Sequence, residues 1–184
     1  MLTRAQAIDL VKTNVFKKNV IFHMIAVEAI MRELAKHLGE DEEKWGLVGL
    51  LHDIDYEQTE KTPEKHSLLA ENILGNVVDA DTIRAIKSHN FEHTGVRPDN
   101  KIEKGLIAAD AVSGLIVACA LVMPSKKLAD VKAESISKKF KDKDFARGAH
   151  RERILFCEQI GIPKDRFFEI AQKGLKDSAS EIGL

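Results

Sequence analysis

Residues 47–57 read Leu-Val-Gly-Leu-Leu-His-Asp-Ile-Asp-Tyr-Glu, and this stretch decides how the rest of the chain is interpreted. An apolar run suited to a protein core ends abruptly in a histidine and three acids. Burying an unpaired carboxylate or imidazole is costly, because the protein interior cannot replace its hydration. The polar side chains must therefore reach solvent at a helix end or surround a positive charge.

The chain is predicted to be all-α. No run of four to eight residues alternates between apolar and polar side chains as a strand with one solvated face would. Capping residues and breakers divide the sequence into helices instead. The predicted helices begin near Thr3, Lys18, Asp41, Thr62, Asp79 or Asp81, and Asn100, and two or three more lie within residues 133–176, with a break at Gly161 and Pro163.

Composition limits the classes of partner. A length of 184 residues suits one domain, residues 1–184, with a sizeable core. The 28 basic and 29 acidic residues nearly balance, so no global field favours long nucleic acid or a membrane surface. Cys119 and Cys157 lie in apolar segments without metal-ligand or redox spacing, which predicts core residues in a reducing compartment.

The location predicted from these features is cytoplasmic. Residues 1–6 lack the basic and then apolar regions of a secretory signal. Residues 106–123 approach the length of a membrane-spanning helix, but they include Asp110, and an acid inside a membrane is expensive. We therefore interpret this segment as the core helix of a protein that has no membrane partner.

Several histidines and acids are predicted to face the core. His23 shares a helical stripe with Val27 and Ile30, and His66 precedes apolar residues at helical spacing. With the pair at the end of the opening stretch, six inward-facing metal-ligand candidates result: His23, His52, Asp53, His66, His89 and Asp110. His37 and His150 are predicted to lie on the surface.

Each candidate taken alone has a simpler explanation. A single histidine on an apolar stripe usually bonds to a backbone carbonyl, and a single buried aspartate usually caps a helix. Four imidazoles and two carboxylates turned inward together need a common neutralising charge, and a divalent transition metal supplies it. Neighbours on a helix point about 100° apart, so His52 and Asp53 can share one cluster only if the helix ends there. Gly46 and Gly49 would allow another helix to approach closely.

The order His23, His52-Asp53 and Asp110 resembles the signature of the HD-domain superfamily of metal-dependent phosphohydrolases. The letters HDID at residues 52–55 are similar to those of its small HDIG-type hydrolases. The resemblance covers about residues 15–125 and leaves residues 126–184, the C-terminal helices, outside the motif region. It implies a compact helical bundle around a buried metal site.

The resemblance also implies particular ligands. One divalent transition-metal ion (Mn, Fe, Co, Ni or Zn) would be held by His23, His52, Asp53 and Asp110. In members with two ions, two further histidines hold the second and the Asp of the pair bridges them; His66 and His89 occupy matching places, with His93 nearby. The chain lacks the Gly-Tyr-Pro signature of the cyclic-di-GMP branch and the adjacent Glu-Asp pair of the alarmone hydrolases.

The expected function is hydrolysis of a small phosphorylated metabolite or nucleotide, a phosphomonoester or phosphodiester, by a metal-activated water. Asp53 would be the shared catalytic ligand, and Glu57 or Asp55 would guide the water. Lys126, Lys127 and Arg97 are candidate phosphate-binding residues, although each also suits an ordinary charged surface. A di-iron oxygenase and a non-catalytic metal-containing sensor remain alternatives, because the ligand set alone does not separate them.

Overall fold

The protein is all-α, as predicted. The computed structural model describes residues 2–184 and contains no β-strand within them. The helices are α1 (Arg4–Asn14), α2 (Lys18–Leu38), α3 (Glu42–Leu51), α4 (Tyr56–Thr59), α5 (Leu68–Leu74), α6 (Ala80–His89), α7 (Phe91–Thr94), α8 (Lys101–Leu121), α9 (Ala133–Lys141), α10 (Arg151–Ile154), α11 (Lys164–Asp177) and α12 (Ala179–Ile182). Short 3₁₀ turns lie at Pro63–Lys65, Leu128–Asp130 and Leu155–Ile160.

Most helix boundaries follow the capping chemistry seen in the sequence. Thr3 and Gln6 form the predicted capping box at the start of α1. Gly39 ends α2 with a φ of 69°, a left-handed conformation that glycine adopts without a steric penalty. Asp79, rather than Asp81, caps α6 through the backbone N–H of Thr82.

The prediction of a helix that begins at Thr62 is wrong for the first turns of that helix. Pro63–Lys65 forms only a 3₁₀ turn, His66 is extended, and Ser67 has a φ of 69° before α5 begins. The amide of Asn90 donates hydrogen bonds of 3.0 Å and 2.9 Å to the carbonyls of Pro63 and His66. Tertiary contacts thus outweigh the helical pattern, and His66 projects from a loop.

α2 and α3 approach closely because α3 carries glycine at the crossing. A Cβ on Gly49 would lie 2.9 Å from the Cα of Glu28 and 2.9 Å from the carbonyl oxygen of Val27. The expected close approach at Gly49 is therefore confirmed, whereas Gly46 faces the side chain of Arg32. This approach places the end of α3 beside the first half of α2, where His23 lies.

α8 runs through the core and packs against α2, α6 and the C-terminal helices. It is long and apolar enough to cross a membrane, but 67% of its most apolar 18 residues are buried inside the protein, as in a core helix. Cys119 on this helix and Cys157 are both buried and free, as predicted. The apolar character of α8 is thus accounted for by its packing inside the protein.

Candidate metal centre

The structure brings all six candidate ligands into one cluster. His23 lies on α2, His89 is the last residue of α6, and Asp110 lies in the middle of α8. His66 comes from the loop before α5. α3 ends at Leu51, so His52 and Asp53 lie in the turn that follows, and both can face the cluster although they are adjacent.

Asp110 and the first two histidines form one side of the cluster. The Nε2 atom of His23 lies 3.2 Å from Nε2 of His52 and 3.2 Å from Oδ1 of Asp110. The Oδ2 atom of Asp53 lies 3.7 Å from the same nitrogen of His23. Two imidazole nitrogens and two carboxylates thus converge on a small volume.

Asp53 also faces the other two histidines. Its Oδ1 atom lies 3.1 Å from Nε2 of His66 and 3.5 Å from Nε2 of His89. The Nε2 atoms of His66 and His89 are 3.0 Å apart. Two groups suited to a metal ion result, one with His23 and His52 and one with His66 and His89, and Asp53 belongs to both.

The backbone fixes the tautomers of two histidines. Nδ1 of His52 lies 2.8 Å from the carbonyl oxygen of Gly49, and Nδ1 of His89 lies 2.5 Å from that of Ile86. A carbonyl oxygen only accepts hydrogen bonds, so each Nδ1 must carry the proton. In a neutral ring the Nε2 atom then presents a lone pair to the cluster, which is the state that ligates metals.

A serine hydroxyl fixes the tautomer of His23. The Ser113 hydroxyl donates its proton to the carbonyl of Asp110, at 2.8 Å. Its oxygen can then accept from Nδ1 of His23, which lies 3.2 Å away. The ring of His23 is thereby held with Nε2 toward the cluster.

Two groups lie behind His66. Thr59 donates its hydroxyl proton to the carbonyl of Asp55 and lies 3.2 Å from Nδ1 of His66, so it accepts there. Oδ1 of Asp55 lies 2.9 Å from the same nitrogen in an ion-pair contact, while the hydrogen-bond geometry at this nitrogen favours Thr59. Asp55 is fully buried, and its Oδ2 accepts a 3.1 Å hydrogen bond from the backbone N–H of Ala70. Carboxylate support of this kind orients a ligand histidine and raises its basicity.

The pKa values indicate a site that needs positive charge. Burial lowers the pKa of His52 to about 4, so this ring is neutral at pH 7. Burial also opposes charge on His66, but Asp53 and Asp55 outweigh it and raise the pKa of His66 to about 10. Burial opposes ionisation of Asp110, yet the neighbouring His23 and His52 lower the pKa of Asp110 to about 2.

The residues fit a divalent transition metal. Imidazole and carboxylate are ligands of such ions, and here one ligand atom of each residue in each group lies within 4.8 Å of the others in a largely buried place. Carboxylates that stay ionised and lone pairs that face each other repel unless a cation lies among them. In the metal-free protein a proton on His66 supplies part of that charge, and an ion can replace it.

Glu57 does not reach the cluster, contrary to its predicted role in guiding water. Its carboxylate accepts hydrogen bonds of 3.1 Å and 2.7 Å from the backbone N–H groups of Phe16 and Lys17. Both donors lie immediately before α2. Glu57 therefore fixes the start of the helix that carries His23.

The predicted phosphate-binding residues lie beyond the two ends of α8, whose middle carries Asp110. Asp110 is eleven residues from the end of α8, about 16 Å along the helix, and Lys126 and Lys127 come after that end. Arg97 precedes α8, whose first residue lies about 14 Å from Asp110. All three are exposed, as is His93, and within residues 2–184 none forms an ion pair with a cluster residue.

Sequence reasoning missed the residues that support the cluster. Besides Thr59 and Ser113, Asn90 fixes the loop of His66. Arg153 on α10 donates a 2.9 Å hydrogen bond to the carbonyl of His89, so the C-terminal helices also hold the site. Ser113 and Thr59 are ordinary residues in a helical sequence, and only the folded structure places them behind a histidine.

Comparison with known proteins supports the resemblance. The family model described as HD domain matches residues 20–115, a range that contains all six cluster residues. Ribonuclease Y 2 of Bdellovibrio bacteriovorus and ribonuclease Y of Nitratidesulfovibrio vulgaris are each 32% identical to this chain over 100 residues. Those residues are 54% of this chain but only 18% and 19% of the relatives, so the chain spans about a fifth of their length. No solved structure matches.

The family model covers more than half of the chain, and the fold is helical throughout the matched range. HD domains bind divalent metals, and the cluster offers the ligands for one. The chain therefore belongs to the HD domain family, whose members are typically metal-dependent hydrolases.

Proposed function

We propose that this protein is a phosphohydrolase that uses two divalent transition-metal ions and acts on a small phosphorylated metabolite or nucleotide. One observation carries the proposal: the Asp53 carboxylate faces both pairs of histidines. A shared carboxylate is what a centre with two neighbouring ions requires. Asp110, on the His23 side, would complete the ligand set of the first ion.

Bound ions of this kind supply a nucleophilic water near neutral pH and neutralise the phosphoryl oxygens. The protein's residues hold and orient the ligands for that chemistry. Carbonyls and hydroxyls keep the proton of each histidine on Nδ1, so that Nε2 stays available. Burial of His52 and His89 excludes water from the back of the site, and the partly exposed His23 and Asp110 leave its front accessible.

A small substrate agrees with the charge of the protein. The formal net charge is −1, and within residues 2–184 none of the three basic residues considered for phosphate binding forms an ion pair with a cluster residue. A protein that binds long nucleic acid usually presents a concentrated basic surface, because phosphate contacts dominate the affinity. The relatives named ribonuclease Y make an oligoribonucleotide a necessary comparison substrate nonetheless.

Metal analysis tests the proposal. We expect close to two equivalents of a divalent transition metal in the purified wild type, and clearly less in Asp53→Ala and His66→Ala. His37→Ala is the matched control, since His37 is an exposed histidine on α2 outside the cluster. A folded wild type that binds no divalent ion, even when ions are supplied, would overturn the dinuclear site.

A substrate panel then separates the remaining functions. Wild type and Asp53→Ala are assayed with phosphomonoesters, phosphodiesters, nucleotides and a short oligoribonucleotide. Hydrolysis of small phosphoesters that is lost in Asp53→Ala supports the proposal. A di-iron spectrum with oxygen consumption and no hydrolysis would identify an oxygenase, and bound metal without any turnover would identify a sensor.

A further inference from the structure

An apolar pocket opens directly beside the metal centre. Its volume is about 330 Å³, in the range of pockets that bind small molecules. His23 and Ser113 line it, so it borders the cluster on the side of His23. The remaining walls come from α2, from α8 and from the region of α12, through Asn19, Phe22, Ala26, Gly114, Val117, Leu121, Ile182 and Leu184.

The pocket lies on the accessible side of the centre. The side chains of His23 and Asp110 are 28% and 25% exposed, whereas those of His52 and His89 are 1% and 4% exposed. Asp110 is one helical turn before Ser113 on α8, so the pocket wall continues from the ligand itself. The pocket therefore borders His23, the most exposed of the six ligands.

Gly114 is unusual among the helical glycines of the described chain. At Gly49 and Gly174 a Cβ would meet neighbouring backbone within 3.0 Å, and at Gly46 and Gly105 it would meet the side chains of Arg32 and Trp45 within 3.0 Å. Gly114 has an ordinary helical φ, and a Cβ there would meet nothing within 4 Å.

Glycine inside a helix costs about 1 kcal/mol relative to alanine. Neither backbone conformation nor packing within the protein explains that cost at Gly114. Its missing side chain leaves space in the pocket wall, which a bound group can occupy.

The chemistry of the lining indicates what that group is. None of the ten lining residues is a lysine, arginine, aspartate or glutamate. Phe22 and Leu121 are large apolar side chains that are 38% and 50% exposed, and a ligand would remove part of this surface from water. A further phosphate or a carboxylate would find no lysine or arginine here.

We propose that this pocket binds an uncharged apolar group attached to the phosphoryl group, so that the preferred substrate is a phosphomonoester of an aliphatic or aromatic alcohol. The inference rests on the proposed function and narrows its substrate class. Hydrolysis breaks the P–O bond to the alcohol. Water supplies the new oxygen on phosphorus and the proton that the leaving alcohol takes up. The pocket holds the alcohol portion while the phosphoryl group faces the cluster.

n-Hexyl phosphate, ethyl phosphate and glycerol phosphate test the proposal. Hexanol and ethanol have nearly equal basicity as leaving groups, so the difference in kcat/KM between these two esters reports binding rather than intrinsic reactivity, and the glycerol ester tests the effect of a polar alcohol portion. We expect kcat/KM for the hexyl ester to exceed that for the ethyl and glycerol esters by about 10- to 100-fold, because each buried methylene contributes to binding. Gly114→Leu fills the space and should reduce the ratio of hexyl to ethyl kcat/KM to near one.

Gly148→Leu is the matched control, because a Cβ on Gly148 also meets nothing within 4 Å but this residue does not line the pocket. It should keep the hexyl preference. Equal kcat/KM for the hexyl and ethyl esters, or a preference that survives Gly114→Leu, would overturn the inference. Preferential cleavage of an oligoribonucleotide, unaffected by Gly114→Leu, would do the same.

Binding of non-hydrolysable phosphonates separates this inference from the proposed function. Calorimetry with n-hexylphosphonate and ethylphosphonate is carried out on the metal-loaded protein. Tighter binding of the hexyl compound that is lost in Gly114→Leu supports the pocket even if no phosphoester is hydrolysed. If the two compounds bind with equal affinity and the protein does hydrolyse phosphoesters, the inference about the pocket is contradicted but the proposed function is not.

Discussion

Asp55→Asn is predicted to weaken metal binding without a comparable loss of fold stability. The amide can keep an oxygen toward the backbone N–H of Ala70, which Asp55 accepts at 3.1 Å. Its nitrogen then faces Nδ1 of His66, where the carboxylate lay at 2.9 Å. Because an amide nitrogen donates, His66 would shift its proton to Nε2, and the lone pair needed by a metal would be lost.

The expected loss of metal affinity in Asp55→Asn follows from the role of carboxylates that support a ligand histidine. Removing a carboxylate that orients a ligand histidine typically lowers metal affinity by about 10- to 100-fold, or roughly 1.4–2.7 kcal/mol. Asp55→Ala differs, because it also leaves the buried N–H of Ala70 without an acceptor. That adds a loss of about 1–3 kcal/mol in the free energy of unfolding. The two variants therefore separate ligand orientation from stability.

The assay is a competitive chelator titration with Mn²⁺ or Zn²⁺, together with urea unfolding of the metal-free proteins. Asp9→Asn is the control, since Asp9 is an exposed aspartate on α1. We expect it to match wild type in both measurements. If Asp55→Asn binds the metal within twofold of wild type, His66 does not depend on Asp55 and the reasoning fails.

Three other measurements follow from the same structure. Gly49→Ala should lower the free energy of unfolding by about 1–3 kcal/mol in urea, because its Cβ would lie 2.9 Å from the Cα of Glu28. Glu28→Gln should cost about 1–2 kcal/mol in the same assay, since the buried Oε1 of Glu28 binds both Arg4, at 2.7 Å, and Arg32, at 3.0 Å. Mn²⁺ binding at pH 7.5 should release at least one proton, seen by calorimetry in buffers of different ionisation enthalpy, because an ion must displace the proton that His66 holds up to its pKa of about 10. Affinity should therefore rise with pH below 10, and binding without proton release would contradict the assigned charge of His66.

Sequence patterns predicted the fold well where the determinants are local. Thr3, Gly39 and Asp41 set helix ends through contacts with residues only a few positions away, and the structure has those ends. The close approach at Gly49 was also predictable, because the absence of a side chain is visible in the sequence itself. Predicting that the six polar residues form one cluster required one further argument, namely that inward-facing charged groups need a common partner of opposite charge.

Residues fixed by distant contacts were not predictable in the same way. The apolar residues that follow His66 at helical spacing predict a helix at this residue, but Asn90, which lies 24 positions later, holds the segment in a loop. Glu57 lies in an acidic sequence near the cluster, yet its partners Phe16 and Lys17 are about 40 positions earlier. Spacing along the chain contains no information about either contact.

The three acids of the opening stretch, Asp53, Asp55 and Glu57, have different roles that depend on how directly each contacts the candidate metal centre. Asp53 faces both histidine pairs directly. Asp55 lies behind His66 and acts on the centre through that ring. Glu57 fixes the start of α2 and so acts on His23 through the helix that carries it. If this order is right, substitution by asparagine or glutamine should reduce metal affinity most at Asp53, less at Asp55 and least at Glu57. An apolar helix end followed by three acids is stable because each acid has a defined partner and only Asp53 belongs to both groups of candidate metal ligands.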